Sequence, residues 1–121
     1  ASTTKAPTPT ATTPDVTFTL ETGTSTGRMV FIGRGGSIDG VVNPTLSVKE
    51  NSLVQVTLIN GDGTEHDVVI PDFKGATKRI VSKGSRGVTV FRADKRGRFS
   101  YYCSVTGHRQ AGMEGVLTVG E

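Results

Sequence analysis

Four residues with metal-binding side chains follow one another along this chain: His66, Cys103, His108 and Met113. They include the single cysteine and both histidines of the 121 residues, and the last three form the pattern Cys-x4-His-x4-Met. A thiolate is a soft ligand that suits copper, two imidazoles complete a trigonal plane, and a thioether is a weak axial ligand. The set predicts one type 1 copper ion that carries electrons, because four protein ligands leave no open position for a substrate.

Each of these residues also has an ordinary structural interpretation when it is taken alone. A lone buried cysteine is most often an inert thiol, and a methionine often fills a gap in the core. Zinc is the main rival metal, but it prefers a tetrahedral set without a thioether, so Met113 argues against it. A nucleophilic Cys103–His108 pair is disfavoured because no orienting Asn or Asp and no oxyanion site is identifiable. The joint pattern therefore favours copper.

The strand before the cysteine has the right period to aim it inward. Phe99, Tyr101 and Cys103 share one face of the segment RFSYYC, since side chains alternate along a strand. The loop that follows contains two glycines and can return His108 and Met113 to the same point. His66 opens another strand directly after a turn at residues 60–63. We expect two adjacent strands and one loop to supply all four ligands at one end of the fold.

Alternation of apolar and polar residues with period two begins after residue 15 and indicates an all-β protein. We predict a Greek-key β-sandwich or barrel of about eight strands, with a wide turn at residues 33–36 and a short helix within residues 72–78. Residues 15–121 form this one domain, and residues 1–14 are predicted to be a flexible Thr/Pro-rich arm or linker. The strand segments are 16–20, 28–32, 38–42, 45–48, 53–59, 66–70, 79–81, 87–91, 98–103 and 115–119.

Charge and hydropathy restrict the partners of the chain. Residues 74–98 carry nine Lys or Arg and one acid, which predicts a solvated surface or a docking face for an acidic partner. Nucleic acid is not expected, because the segment has neither interleaved aromatics nor a recognition helix. No apolar run approaches the roughly 20 residues of a membrane span. The start at Ala1 fits a mature product whose export leader has been cleaved.

The segments NPTLSVKENSLVQVTLIN (43–60), the strand of His66 and YYCSVTGHRQAGMEGVLTV (101–119) resemble the cupredoxin, or type 1 copper, family. More narrowly, the chain is similar to the N-terminal plastocyanin-like domain of three-domain copper nitrite reductases. This resemblance implies a periplasmic electron-transfer domain whose partner is a redox protein or a linked catalytic domain. It also implies coordination through Nδ1 of both histidines and is compatible with a homo-oligomer of the full-length protein. A free-standing periplasmic electron carrier is the alternative.

One position departs from the family pattern. Many members carry Asn or Ser after the first histidine ligand, where this chain has Asp67. The usual hydrogen bond from that position to the ligand loop is therefore in doubt. A nearby acid should lower the reduction potential, since negative charge favours the more positive oxidised ion. We predict that an Asp67→Asn variant has a higher midpoint potential in a redox titration, and an unchanged potential would contradict this.

Three other functions can be distinguished from electron transfer. A complete nitrite reductase needs a second copper bound by three further histidines, and both histidines of this chain are already used. A copper-storage protein or chaperone favours several Met or Cys ligands at an exposed site, which a single strand cysteine fits poorly. A metal-free adhesive sandwich would show no response in a copper titration.

Overall fold

A computed structural model describes residues 13–121 of the chain. The arm predicted at residues 1–14 lies outside the described residues except for its last two positions, so this division of the chain stays a prediction. The first strand begins at Val16 and ends at Ser25.

The predicted all-β class is confirmed, because nine strands within residues 13–121 form two facing sheets. The first sheet has four strands in the order β2-β1-β4-β7, and the second has five in the order β3-β9-β8-β5-β6. The β1–β4 and β3–β9 pairs are parallel and the other pairs are antiparallel. The strands are β1 (Val16–Ser25), β2 (Arg28–Arg34), β3 (Leu46–Lys49), β4 (Leu53–Ile59), β5 (Val69–Ile70), β6 (Gly75–Ala76), β7 (Arg86–Arg92), β8 (Gly97–Tyr102) and β9 (Glu114–Gly120).

Several predicted segments differ from the observed elements. Residues 38–42 and 79–81 are not strands, and each contributes only an isolated bridge, Ile32 to Val42 and His66 to Ile80. The short helix predicted within 72–78 is instead a 3-10 turn at Pro71–Phe73 followed by β6. Pro71 has a fixed φ and no backbone N–H for a sheet, so it ends β5 after two residues. A short helix, α1 (His108–Ala111), was not predicted.

The core lies between the two sheets and is built mostly by alternation along the strands, most regularly in β7 and β9. In β9, Gly115, Leu117 and Val119 are buried, while the residues between them are half-buried. Phe31 of β2 packs against Tyr101 of β8 with ring centroids 5.6 Å apart, which joins the two sheets. This packing stiffens the part of β8 that leads to Cys103.

The basic segment is exposed, which fits both predicted roles, a solvated surface and a docking face for an acidic partner. All nine of its Lys and Arg residues are exposed. Arg96 pairs with Glu50 and Glu121, and Arg79 lies within 4.0 Å of Glu65 and Asp67. Within residues 13–121, no helix is long and apolar enough to span a membrane.

The buried phenol of Tyr101 leads us to expect that the folded protein loses stability at alkaline pH. Its ring is fully buried, its hydroxyl donates to the Pro44 carbonyl at 2.6 Å, and burial raises its pKa far above the ordinary value of 10.0. The folded protein therefore keeps the phenol proton while the unfolded chain releases it above about pH 10, so this stabilisation is complete below that pH and declines above it at about 1.4 kcal/mol per pH unit. We expect urea unfolding to show this decline in the wild type.

A Tyr101→Phe variant is the matched comparison for that measurement. It should lose about 1–2 kcal/mol at pH 8, because the Pro44 carbonyl is left without its donor. It should also lack the contribution of this phenol to the alkaline decline, so the stability gap to the wild type narrows between pH 9 and about 11. Parallel stability curves for the two proteins would contradict the prediction.

Candidate metal centre

Three of the predicted ligands lie on the connection between β8 and β9. Cys103 follows the last residue of β8, and its backbone N–H donates to the Met113 carbonyl at 3.1 Å. The N–H of Met113 donates in turn to the His108 carbonyl at 3.1 Å. Cys103 and Met113 are both almost fully buried, while His108 is half-buried. The chain thus returns on itself within ten residues, as the two glycines predicted.

The returning loop is shaped by α1 and by the glycines at its two ends. Gly107 precedes the helix with φ 84° and Gly112 follows it with φ 129°, which are backbone conformations that side chains disfavour. A Cβ at Gly112 would lie 2.8 Å from the Met29 carbonyl oxygen. Only glycine fits there, because the loop packs directly against β2.

Asn43 holds this loop against the first sheet, a role that sequence reasoning missed. Its side-chain oxygen accepts from the Phe31 N–H at 2.9 Å, and its amide donates to the Gly112 carbonyl at 2.7 Å. The residue itself has φ 46°, a region that Asn adopts more readily than most residues. Its position before Pro44 was the only local signal.

His66 reaches the site from the neighbouring part of the second sheet. Its backbone forms both bridge bonds with Ile80, at 3.0 and 2.8 Å. Just beyond it, β5 pairs with β8 through Val69 and Tyr102. His66 therefore does not open a strand as predicted, because it lies three residues before β5 and pairs only through the isolated bridge to Ile80. The imidazole nevertheless lies next to Cys103 and is completely buried.

Both imidazoles turn Nδ1 toward the same sulfur. Cys103 Sγ lies 3.9 Å from Nδ1 of His66 and 3.4 Å from Nδ1 of His108, and the three ligand atoms are all within 4.8 Å of one another. Metal–nitrogen and metal–sulfur bonds of about 2.0 and 2.3 Å at trigonal angles place such atoms about 3.8 Å apart. The donor set and its spacing therefore fit a copper ion. Met113 stays a predicted ligand, and its backbone is hydrogen-bonded to Cys103 and His108.

The ionisation of the site also suits a metal. Burial raises the pKa of the Cys103 thiol, the Asp67 carboxylate adds to this effect, and hydrogen bonds from the Asp67 and Val105 backbones partly offset it. Burial and repulsion from His66 lower the pKa of His108, against the attraction of nearby acids. A neutral imidazole is the form that binds a metal, and a thiol releases its proton when a metal coordinates the sulfur.

Asp67 forms the hydrogen bond to the ligand loop that was in doubt for an acidic residue at this position. Its carboxylate accepts from the Ser104 N–H at 2.6 Å and from the Ser104 hydroxyl at 2.5 Å. The guanidinium of Arg79 lies 3.7 Å away. The hydrogen bond is present because a carboxylate accepts these two hydrogens as well as an amide oxygen does. The link between the strand of His66 and the residue after Cys103 is thus preserved.

A second carboxylate, Asp62, lies on the far side of the His66 ring. Both of its oxygens are 3.0 Å from His66 Nε2. Partial burial alone would raise the pKa of Asp62, but hydrogen bonds from Thr64 and His66 and attraction to His66 lower it below the ordinary value. Sequence reasoning assigned residues 60–63 to a turn, which is confirmed, and missed this contact.

The half-buried ring of His108 is surrounded by the loop that carries it. Gly107, Arg109 and Ala111 are exposed beside it. The Arg109 guanidinium lies 4.0 Å from the centre of the Tyr102 ring and donates to Glu114 at 2.7 Å. The surface around this histidine is therefore small and partly charged.

Comparison with known proteins gives one matching family model, a cupredoxin-like domain, over residues 37–119. Copper-containing nitrite reductases are similar in sequence, at 34% identity over 110 residues in Alcaligenes xylosoxydans xylosoxydans and 33% over 112 in Rhizobium meliloti. These matches cover 80% and 82% of this chain. The chain spans 31% and 27% of the length of these two curated relatives.

Solved structures have the same architecture. Auracyanin B superposes with a TM-score of 0.69 at 21% identity, covering 90% of this chain and 91% of its own, which shows a shared fold. The copper nitrite reductase of Thermus scotoductus SA-01 superposes with a TM-score of 0.66 at 26% identity. That match covers 87% of this chain and 27% of the reductase.

Proposed function

Because this chain belongs to the cupredoxin-like domain family, we propose that it holds one type 1 copper ion and transfers single electrons through it. His66 and His108 would bind through Nδ1, Cys103 through its thiolate, and Met113 more weakly through its thioether. The observation that carries the proposal is the convergence of two imidazole Nδ1 atoms on one buried sulfur, at 3.9 and 3.4 Å.

Copper bound by this set supplies a one-electron couple, and the chain supplies a rigid enclosure for it. Backbone hydrogen bonds hold Cys103, His108 and Met113 in sequence, and Asn43 fixes their loop to the other sheet. Rigid donors rearrange little when the charge of the site changes. His108 is the half-exposed ligand, so we propose that electrons enter or leave through its ring.

We further propose that the chain is the N-terminal domain of a periplasmic copper nitrite reductase. The similarity to such enzymes and the partial coverage of their length support this assignment. Both histidines of the chain serve the copper site proposed here, so nitrite would be reduced by a linked catalytic domain. A free-standing electron carrier with an external redox partner is the second candidate.

Copper titration of the purified protein tests the electron-transfer site. We expect saturation at one equivalent of Cu(II), with intense thiolate-to-copper absorption at about 450 or 600 nm, a mononuclear Cu(II) EPR signal and reversible bleaching by a one-electron reductant. A colourless complex, or binding of several equivalents without charge-transfer bands, would reject the proposal.

The intact mass of the native polypeptide tests the wider assignment. A protein several times larger than the 12.7 kDa of this sequence, with further histidine ligands in its additional part, is expected. A native polypeptide of this mass alone would establish a free-standing carrier instead.

A further inference from the structure

The Nε2 atom of His66 has a charged partner. The imidazole is fully buried, and both carboxylate oxygens of Asp62 lie 3.0 Å from this nitrogen. Because water does not reach the ring, the Nε2 hydrogen has this carboxylate as its acceptor. The opposite nitrogen, Nδ1, then presents its lone pair toward Cys103.

The loop around Asp62 keeps the carboxylate in place. The buried Asn60 accepts through its side-chain oxygen from the N–H groups of Asp62 and Gly63, at 3.1 and 2.7 Å. The amide of Asn60 donates to the Thr64 and Ile80 carbonyls, at 2.6 and 3.1 Å. Asp62 itself accepts from the Thr64 N–H at 3.0 Å. Asp62 is therefore part of a hydrogen-bonded turn, and its side chain is only 22% exposed.

The two histidines differ in this respect. In the described part of the chain, no carboxylate lies within hydrogen-bonding distance of the His108 ring, which contacts Cys103 and the His66 ring. Two other acids lie nearby: Asp67 accepts from Ser104 and lies beside Arg79, and Glu65 lies 3.9 Å from Arg79. Asp62 is thus the single acid among residues 13–121 that is hydrogen-bonded to an imidazole of the site.

We propose that Asp62 is a positioning residue that fixes the tautomer of His66 and makes the site favour oxidised over reduced copper. The inference rests on the proposed function, since it concerns the same ion. A carboxylate that accepts from a ligating imidazole orients the ring and raises its basicity. Its negative charge also stabilises the more positive oxidation state. Asp62 therefore lowers the reduction potential of this site.

Two variants separate the hydrogen bond from the charge. Asp62→Asn keeps an oxygen that accepts from Thr64 and His66 and removes the charge, and Asp62→Ala removes both. Asp94→Asn is the matched control, because Asp94 is exposed and precedes β8, whose length of about 17 Å separates it from Cys103. All three proteins are compared with the wild type in the copper-loaded and copper-free forms.

Redox titration should show the charge effect. In Asp62→Asn we expect the ratio of Cu(II) to Cu(I) affinity to fall roughly tenfold, which corresponds to a potential about 59 mV higher. In Asp62→Ala we also expect a loss of about 10- to 100-fold in Cu(II) affinity. Asp94→Asn should match the wild type. An Asp62→Asn potential equal to that of the control would overturn the proposal.

Nitrogen-15 NMR of the copper-free protein tests the positioning separately. The wild type should hold neutral His66 in the Nε2–H form, and Asp62→Ala should populate a mixture of tautomers. An Nδ1–H tautomer in the wild type would overturn the positioning role whether or not copper binds. A wild type without charge-transfer bands would instead reject the proposed function, while the tautomer result still decides the role of Asp62.

Discussion

Replacing Cys103 with alanine is expected to remove the intense visible absorption of the copper-loaded protein completely. Cys103 is the single cysteine of the chain, so no other thiolate can take its place. Both imidazoles remain in the variant and can still bind Cu(II) weakly, with the pale colour and the EPR parameters of a site that lacks a thiolate. Visible and EPR spectra at one equivalent of Cu(II) measure the change.

The fold of the Cys103→Ala variant should persist. Removal of one buried sulfur costs about 1 kcal/mol, a small part of the stability of a domain of this size. Ser104→Ala is the neighbouring control, since it keeps the backbone N–H that Asp67 accepts, and it should retain the absorption. Persistence of the band in Cys103→Ala would show that the colour has another source and would reject the proposed ligand.

The largest effect on stability is expected from Gly115→Ala. Gly115 pairs with Tyr101 across β8 and β9, and a Cβ there would overlap Cζ and Oη of the tyrosine ring and lie 2.6 Å from Cε2. The ring cannot withdraw, because it packs on Phe31 and its hydroxyl is bonded to Pro44. We expect a loss of about 3 kcal/mol or more, from overpacking and from the displaced hydrogen bond.

Gly120→Ala is the matched control for this variant. It makes the same substitution in the same strand, but nothing lies within 4 Å of the added Cβ. Its stability should change by less than about 0.5 kcal/mol. Urea unfolding of the copper-free proteins measures both, and equal stabilities of the two variants would show that the Tyr101 ring is free to move.

The Tyr101–Gly115 contact also bears on the metal site. Tyr101 lies two residues before Cys103 and Gly115 two residues after Met113, so this pair is close to the Cys103–Met113 backbone hydrogen bond that follows the end of the β8–β9 ladder. A displaced ring would shift β8 against β9 at the point where their connecting loop begins. We therefore expect any Gly115→Ala protein that folds to bind copper with altered charge-transfer bands, whereas Gly120→Ala keeps the wild-type spectrum.

Much of the metal centre is determined by local spacing. Alternation along a strand places Cys103 on the same face as the buried Tyr101, and this follows from backbone geometry alone. The glycines around α1 return the chain quickly, so His108 and the backbone of Met113 come near Cys103 without help from distant residues. The chemistry of one thiol, two imidazoles and a thioether then predicts the metal, because ligand type selects the ion.

The short strands and the helix were harder to predict because local patterns there carry little information. Residues 66–70 alternate like a strand, but Pro71 and the bridge to Ile80 leave only Val69–Ile70 in the ladder. The segment 38–42 has an apolar pattern, yet Val41 and Val42 are exposed and only one bridge forms. In both places pairing with a distant segment decides the structure. The alternation of apolar and polar residues does not show which segment that is.

The sequence by itself determined the β class, which thiol and imidazoles come together as the proposed ligands, and the turn at residues 60–63. Only the tertiary structure decided what acts on those ligands. Asp62 contacts His66 because the Asn60 side chain holds the turn in which Asp62 lies. Asn43 is hydrogen-bonded to Gly112 of the ligand loop, which lies 69 residues further along the chain. Such contacts depend on sheet register and loop packing. These bring together side chains that are not related by any periodic pattern in the sequence.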